Sequence, residues 1–296
     1  MKNKLLSILL HPVFIAMAIT LVIIYFLPDI FTKYKAELVD QSLNNRDFRI
    51  YYQDLNNDGK SEEIICYDNG LGNASFEIHD SNGGLIDQWN FPGKHSSLHK
   101  KLWFFDVNNN GFKEIYLITQ NKDSVFLNIE EPFVKEGIHK NNILIDIIKA
   151  HNNQYKVFSN MFGVSDINSD GENEVFLTLK RGFSGNPRSV YKYNLLKDQI
   201  YKSPHLTNSC NISNIIDLDN DGKKEIIIHN TSAGNTIDSL YTRRSDYSSW
   251  LMVLNSDLNF QFEPVEFKFY PSSIVMLPFN KRNGKYQLLS LIESNN

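Results

Sequence analysis

DLDNDGKKEIII, residues 217–228, carries carboxylates at its first, third and fifth positions, glycine at the sixth, glutamate at the ninth and three isoleucines after it. The pattern recurs at 54–65 (DLNNDGKSEEII), 106–117 (DVNNNGFKEIYL) and 166–177 (DINSDGENEVFL), with starts 52, 60 and 51 residues apart. A period of this length marks a repeat architecture. The spacing has a chemical reason. Oxygens at positions one, three, five and nine converge on a hard cation, glycine at six permits the sharp turn, and the carbonyl at seven adds a further ligand. The side-chain ligand sets expected are Asp54, Asn56, Asp58 and Glu62; Asp106, Asn108, Asn110 and Glu114; Asp166, Asn168, Asp170 and Glu174; and Asp217, Asp219, Asp221 and Glu225. Lys60, Phe112, Glu172 and Lys223 offer the carbonyls. Calcium, with its flexible oxygen shell, fits such a set best, so up to four structural Ca2+ ions are expected.

A helix–loop–helix calcium site needs glutamate at position twelve, where this chain has Ile65, Leu117, Leu177 and Ile228. The apolar residues after each acid instead begin a strand, so each loop joins two strands. A single such loop would read equally as an ordinary Asn/Asp/Gly turn; four copies in one phase point to metal. Between the first two loops, EIICYD, ASFEIHD, a DSNGG turn and LIDQWNF follow DFRIYYQ, which makes about four strands per repeat. The third unit repeats this with VFLTLK, SVYKYNLL and QIYKSP, and the fourth with IIIHN, SWLMVLNSD and NFQFEPVEF. The second unit is longer, with an insertion or extended outer hairpin expected over 129–148. The predicted fold is all-β, a β-propeller-like array of four-stranded antiparallel blades over 46–296.

At these residues the chain resembles the FG-GAP/VCBS repeat family, whose relatives include the calcium-bearing blades of integrin alpha-chain propellers. The resemblance covers roughly residues 46–265. It implies that each calcium loop joins the first and second strands of a blade, on the face opposite the usual ligand surface. The arrangement of apolar N-terminus and repeats also resembles the sensor-like N-terminal regions of some bacterial membrane proteins, including certain histidine kinases. Integrin propellers have seven blades, whereas four clear units stand here, followed by FYPSSIVMLPF and YQLLSLIE as a partial fifth. An incomplete arc, a small five-bladed ring and a fragment of a longer chain all fit that count.

The N-terminus sets the expected topology. Leu5 to Leu27 contains no Asp, Glu, Lys or Arg, enough for a transmembrane helix. Lys2 and Lys4 before it place residues 1–27 as cytoplasmic tip and anchor, 28–45 as stalk, and the repeats outside the cytoplasm, periplasmic or at the cell surface. The competing reading is a signal peptide cleaved near Ala16-Met17-Ala18. A net charge of −4 gives no field for a polyanion such as nucleic acid. Cys66 and Cys210, both in apolar strand-like contexts, read as buried free thiols rather than a bridge.

Counting carboxylates at positions one, three, five and nine gives three, two, three and four, so the Asp217 loop is expected to bind calcium tightest and the Asp106 loop weakest or not at all. A second repeated feature is a Gly-Asn pair between the second and third strands. Asn73, Asn186 and Asn235 are therefore candidates for a ligand face, with Arg181, Arg188, Arg243 and Arg244 nearby, able to grip a protein, peptide or glycan partner. The plainer alternative is that Gly-Asn makes a turn. No catalytic set is evident. His95 and His99 lack an accompanying glutamate, Ser184 in GFSGN lacks the nucleophile-elbow pattern, and no phosphate-binding glycine motif occurs. A binding or sensing module is expected ahead of a polysaccharide- or protein-cleaving propeller enzyme or a purely adhesive protein.

Overall fold

The computed structural model describes residues 11–31, 48–96, 100–149, 156–182, 185–234, 244–267, 272–282 and 285–294. The chain divides into two compact units, 1–45 and 46–296. Among the described residues of the first, the helix α1 (Pro12–Phe31) begins at a proline, the position where a missing N–H costs nothing. His11 precedes it, its Nδ1 accepting from Val13 N at 3.4 Å. The expected membrane anchor over Leu5 to Leu27 is corrected by one finding. Among the described residues no helix is long and apolar enough to cross a membrane. Leu5 to Leu10, and residues 32–45 of the expected stalk, lie outside the described residues.

The second unit is all-β, built from antiparallel sheets. The first sheet runs β1 (Phe48–Gln53), β2 (Glu62–Asp68), β3 (Ala74–His79), β4 (Leu85–Phe91), in that spatial order. The second has its first strand broken into β5 (Lys94–His95) and β6 (Leu102–Phe105), both pairing β7 (Glu114–Asn121), then β8 (Ser124–Glu130) and β9 (His139–Ile147). The third runs β10 (Val157–Ser165), β11 (Glu174–Arg181), β12 (Gly185–Asn194), β13 (Gln199–Lys202). The fourth joins β14 (Ser209–Ile216), β15 (Glu225–Thr231), β16 (Ser249–Leu254) and a short β17 (Val265–Phe267). The partial fifth unit is a hairpin, β18 (Ser272–Arg282) and β19 (Lys285–Ser294), attached to β15 through Asn230↔Ile274 and Thr231↔Ser273.

Burial explains why the second strands read as unbroken apolar runs. β7 and β11 are each buried over six consecutive residues, because a neighbouring sheet covers both of their faces. The outer strand β4 is mostly exposed and carries Asp87, Gln88 and Asn90. Consecutive sheets stack through shared cores. Phe76 and Ile64 of the first sheet meet Ile115 and Leu117 of the second. Tyr116 and Leu127 of the second meet Leu177 and Tyr191 of the third, and Phe176 and Val190 of the third meet Ile226 and Trp250 of the fourth. Ile227 then packs with Ile274 of the last hairpin. Among the described residues no core cluster joins the first sheet to the last. Both cysteines are buried free thiols.

Candidate cation loops and the clefts at the opposite end

The four acidic loops fold alike, down to individual hydrogen bonds. The glycine N–H donates to Oδ2 of the first aspartate: Gly59 to Asp54 at 3.0 Å, Gly111 to Asp106 at 2.9 Å, Gly171 to Asp166 at 2.9 Å and Gly222 to Asp217 at 3.1 Å. The N–H at position two donates to Oε2 of the ninth-position glutamate: Leu55 to Glu62 at 2.8 Å, Val107 to Glu114 at 2.9 Å, Ile167 to Glu174 at 3.3 Å and Leu218 to Glu225 at 2.8 Å. The N–H at position seven donates to the side chain at five, as in Lys60 to Asp58 at 2.8 Å and Lys223 to Asp221 at 2.7 Å; Phe112 to Asn110 and Glu172 to Asp170 match. Each glutamate pairs across the loop with the residue before the first aspartate: Gln53↔Glu62, Phe105↔Glu114, Ser165↔Glu174 and Ile216↔Glu225. The loop therefore cinches its own strand pair and points its second and ninth positions inward.

Two positions per loop take left-handed backbone. The glycines have φ between 85° and 91°, and the fourth position, Asn57, Asn109, Ser169 or Asn220, has φ between 56° and 66°. Asn tolerates that region better than most residues, which explains its recurrence at a position that offers no ligand in the pattern. In the fourth loop, oxygens of Asp217, Asp219 and Glu225 lie within 4.8 Å of one another, a spacing that fits one cation. Two buried carboxylate oxygens, Asp54 Oδ1 and Glu114 Oε1, have no hydrogen-bond partner. A buried carboxylate oxygen left in that state is costly, and a divalent ion is the partner that carboxylate chemistry fits.

The electrostatics agree. Burial pushes the Glu114 carboxyl up to about 7, with Glu131 adding a like charge, and burial also raises Glu174 and Glu225. A carboxyl whose folded-state pKa lies above its unfolded value contributes stability in full at low pH and loses it as pH rises through the folded value. Cation-free protein should therefore lose melting temperature between about pH 5 and pH 7.5, and calcium should restore more at the upper end. Thermal melts in chelator check this, with Glu114→Gln flattening the slope. A cation-free profile unaltered by that substitution would contradict it.

The loops are also tied to one another. The carbonyl at position two accepts a hydrogen bond from the following unit: Leu55 O from Lys113 N at 2.9 Å, Ile167 O from Lys224 N at 2.8 Å, and Leu218 O from Tyr286 N at 2.9 Å. Val107 O accepts from Asn173 Nδ2 at 2.8 Å. Each loop thus holds the next sheet, and the final hairpin takes the same place without an acidic loop of its own.

At the other end of the sheets, the expected ligand-face residues separate. Arg181 closes β11, whose eight residues put it about 25 Å from the Glu174 end. It lines a cleft of about 500 Å³ with Asn186, Lys149, Lys202, Asp146 and His205. Arg181 Nη1 donates to Lys149 O at 2.7 Å, Asn186 Oδ1 lies 2.7 Å from His205 Nε2, and Lys202 pairs with Asp146 at 2.7 Å. A second cleft, about 440 Å³, opens where β2 and β7 end, among Asp68, Lys94, His95, Gln120, Lys122 and Lys156. Three other candidates make contacts within the fold. Asn73 Oδ1 accepts from Gly93 N at 3.4 Å, at a turn held by Asn69, and so follows the plainer Gly-Asn reading. Arg188 corrects the ligand-face expectation: its side chain is 0% exposed, donating to Thr207 O and pairing with Asp246 at 3.2 Å. Arg244 stacks on Phe260 at 4.6 Å and meets Glu263 at 3.1 Å. Asn235 and Arg243, like His99 and Ser184, lie outside the described residues. Lys149, Lys202, His205 and the three lysines of the second cleft carry no repeat signal, since only folding brings them together.

One arrangement resembles catalytic machinery. Cys66 Sγ is 3.1 Å from His95 Nε2, and His95 Nδ1 is 2.7 Å from Asp68 Oδ1. The thiol, however, is 0% exposed at the core between the first two sheets, and the chain of contacts satisfies a buried imidazole. No protein-family model matches the chain, and no curated protein is similar to it at a significant level.

Proposed function

We propose that residues 46–296 are a calcium-stapled, propeller-like binding module of the FG-GAP/VCBS kind. The cation loops set the sheets at one end, and the clefts at the other end, whose local excess of Lys and Arg stands against the net charge of −4, take a carboxylate-bearing ligand, with an acidic glycan as the form tested. The observation that carries the proposal is the single hydrogen-bond pattern repeated in four loops, together with the clustering of Asp217, Asp219 and Glu225 oxygens. Four antiparallel sheets stacked in chain order support a blade-like arrangement. The ligand class follows from charge. Lys149, Arg181 and Lys202 outnumber Asp146 in one cleft, and Lys94, Lys122 and Lys156 outnumber Asp68 in the other. Arg guanidinium suits planar carboxylates, and cationic clefts raise the local concentration of anions.

The test is calorimetry of the full chain in 2 mM calcium with an oligogalacturonate, a neutral malto-oligosaccharide of equal length and a polyglutamate. Binding of the acidic glycan should exceed that of the neutral one and weaken with added salt. Arg181→Ala should weaken it about tenfold, in line with a lost charged hydrogen bond. Equal affinity for acidic and neutral chains, or tighter binding of polyglutamate, would overturn the ligand assignment.

A further inference from the structure

The two clefts at the end away from the acidic loops share a wall, and two backbone hydrogen bonds build it. Ile148 N donates to Asp123 O at 2.7 Å, which sets Lys149 of the first cleft beside Lys122 of the second. Gly182 N donates to Lys156 O at 2.8 Å, and Val157 faces Arg181 in the β10–β11 register, which sets Lys156 of the second cleft beside Arg181 of the first. Facing residues of an antiparallel pair have Cα atoms about 4.5 to 5.5 Å apart, so the wall is about one strand spacing thick.

The far side of the second cleft is drawn to the same wall. Lys94 pairs with Gln120 at the end of β7, and a Cβ on Gly93 would lie 2.4 Å from Gln120 O, so glycine is what lets the two segments come this close. Gln120 Oε1 in turn accepts from Val157 N at 2.8 Å.

Positive charge continues across the wall. Lys94, Lys122, Lys149, Lys156 and Lys202 are exposed, and Arg181 is half-buried. Three acids lie among them. Asp68 is held by His95 at 2.7 Å, Asp146 by Lys202 at 2.7 Å and by the Tyr191 hydroxyl, and Asp123 belongs to the wall. Cations therefore remain in excess on both sides of it.

We propose that the two clefts are halves of one elongated site, and that its ligand is a linear acidic glycan with carboxylates on successive sugars, long enough to lie across the wall from Lys94 to Lys202. The proposal rests on the carboxylate-ligand reading above and adds a requirement for length. A short acidic oligomer occupies one cleft. A longer one engages both, and its second contact forms within the complex at a high effective concentration.

Calorimetry of the full chain with trigalacturonate and nonagalacturonate, in the same calcium buffer, tests it. The nonamer should bind about a hundredfold more tightly, at the lower end of what linked contacts gain and well beyond the roughly sevenfold that its extra three-sugar registers supply. Lys122→Asn with Lys156→Gln, and separately Arg181→Ala with Lys149→Gln, should each bring the nonamer to within about tenfold of the trimer. Lys135→Gln, which removes an exposed charge from the β8–β9 connection at the acidic-loop end, should leave the ratio as it is in the parent. A parental nonamer gain of roughly sevenfold or less, with the trimer still bound, would overturn the joined site alone. So would a larger gain that survives both pairs of substitutions. If neither oligomer binds the parent, the carboxylate reading beneath the proposal falls.

Discussion

If the loops hold calcium as proposed, chelation should lower the melting temperature of the full chain by about 5 to 30 °C. The estimate follows from mass action. Extracellular calcium modules bind at about 0.1 to 1 mM, so at 2 mM free ion each occupied site adds about 0.6 to 1.8 kcal/mol. Four sites sum to about 3 to 7 kcal/mol, and a domain of this size shifts by about 2 to 4 °C per kcal/mol. The effect should be global. Each loop's second-position carbonyl is bonded to the next unit, so a loop that loses its ion loosens two sheets rather than one. Melts followed by circular dichroism with chelator and with excess calcium measure the shift. Magnesium should restore less, because it demands six near-ideal ligands and gives up water reluctantly. A melting temperature indifferent to chelator would contradict the account.

Arg188→Ala destabilises the protein by about 3 to 5 kcal/mol, the cost of leaving the buried Asp246 carboxylate without its guanidinium. Arg188 side chain and Asp246 side chain are 0% and 4% exposed and lie between the third and fourth units. The paired substitution Arg188→Met with Asp246→Leu should regain most of the loss, since apolar residues of similar volume replace a buried ion pair at little net cost. Denaturant unfolding of the single and double variants is the check. An Arg188→Ala variant of parental stability but impaired glycan binding would return this residue to the ligand face.

Much of the fold is legible in the chain because each repeat states it again. The strand after each loop follows from Ile, Val and Leu runs behind the glutamate, and the second strands are fully covered as such runs require. The antiparallel order of the first and third sheets follows from short connections. What the repeat does not carry is harder to read. Glu131 lies outside the motif, and only the register of β7 with β8 brings it opposite Glu114. Arg188 resembles a surface cation in sequence; its burial depends on Asp246, far along the chain. The first strand of the second unit pairs with β7 in two pieces, one ending at His95 and one beginning at Leu102, which alternation in LWFF alone does not foretell. The apolar N-terminus fits a span by composition, yet α1 starts only at Pro12.

The claim beneath all of this is that the acidic loops cage divalent ions. Isothermal titration of calcium into chelator-treated full-length chain tests it most directly. The account predicts saturable binding of about four ions in the millimolar range or tighter, with the tightest removed by Asp217→Asn. Titration heats that stay at the dilution level up to about 10 mM calcium would contradict it.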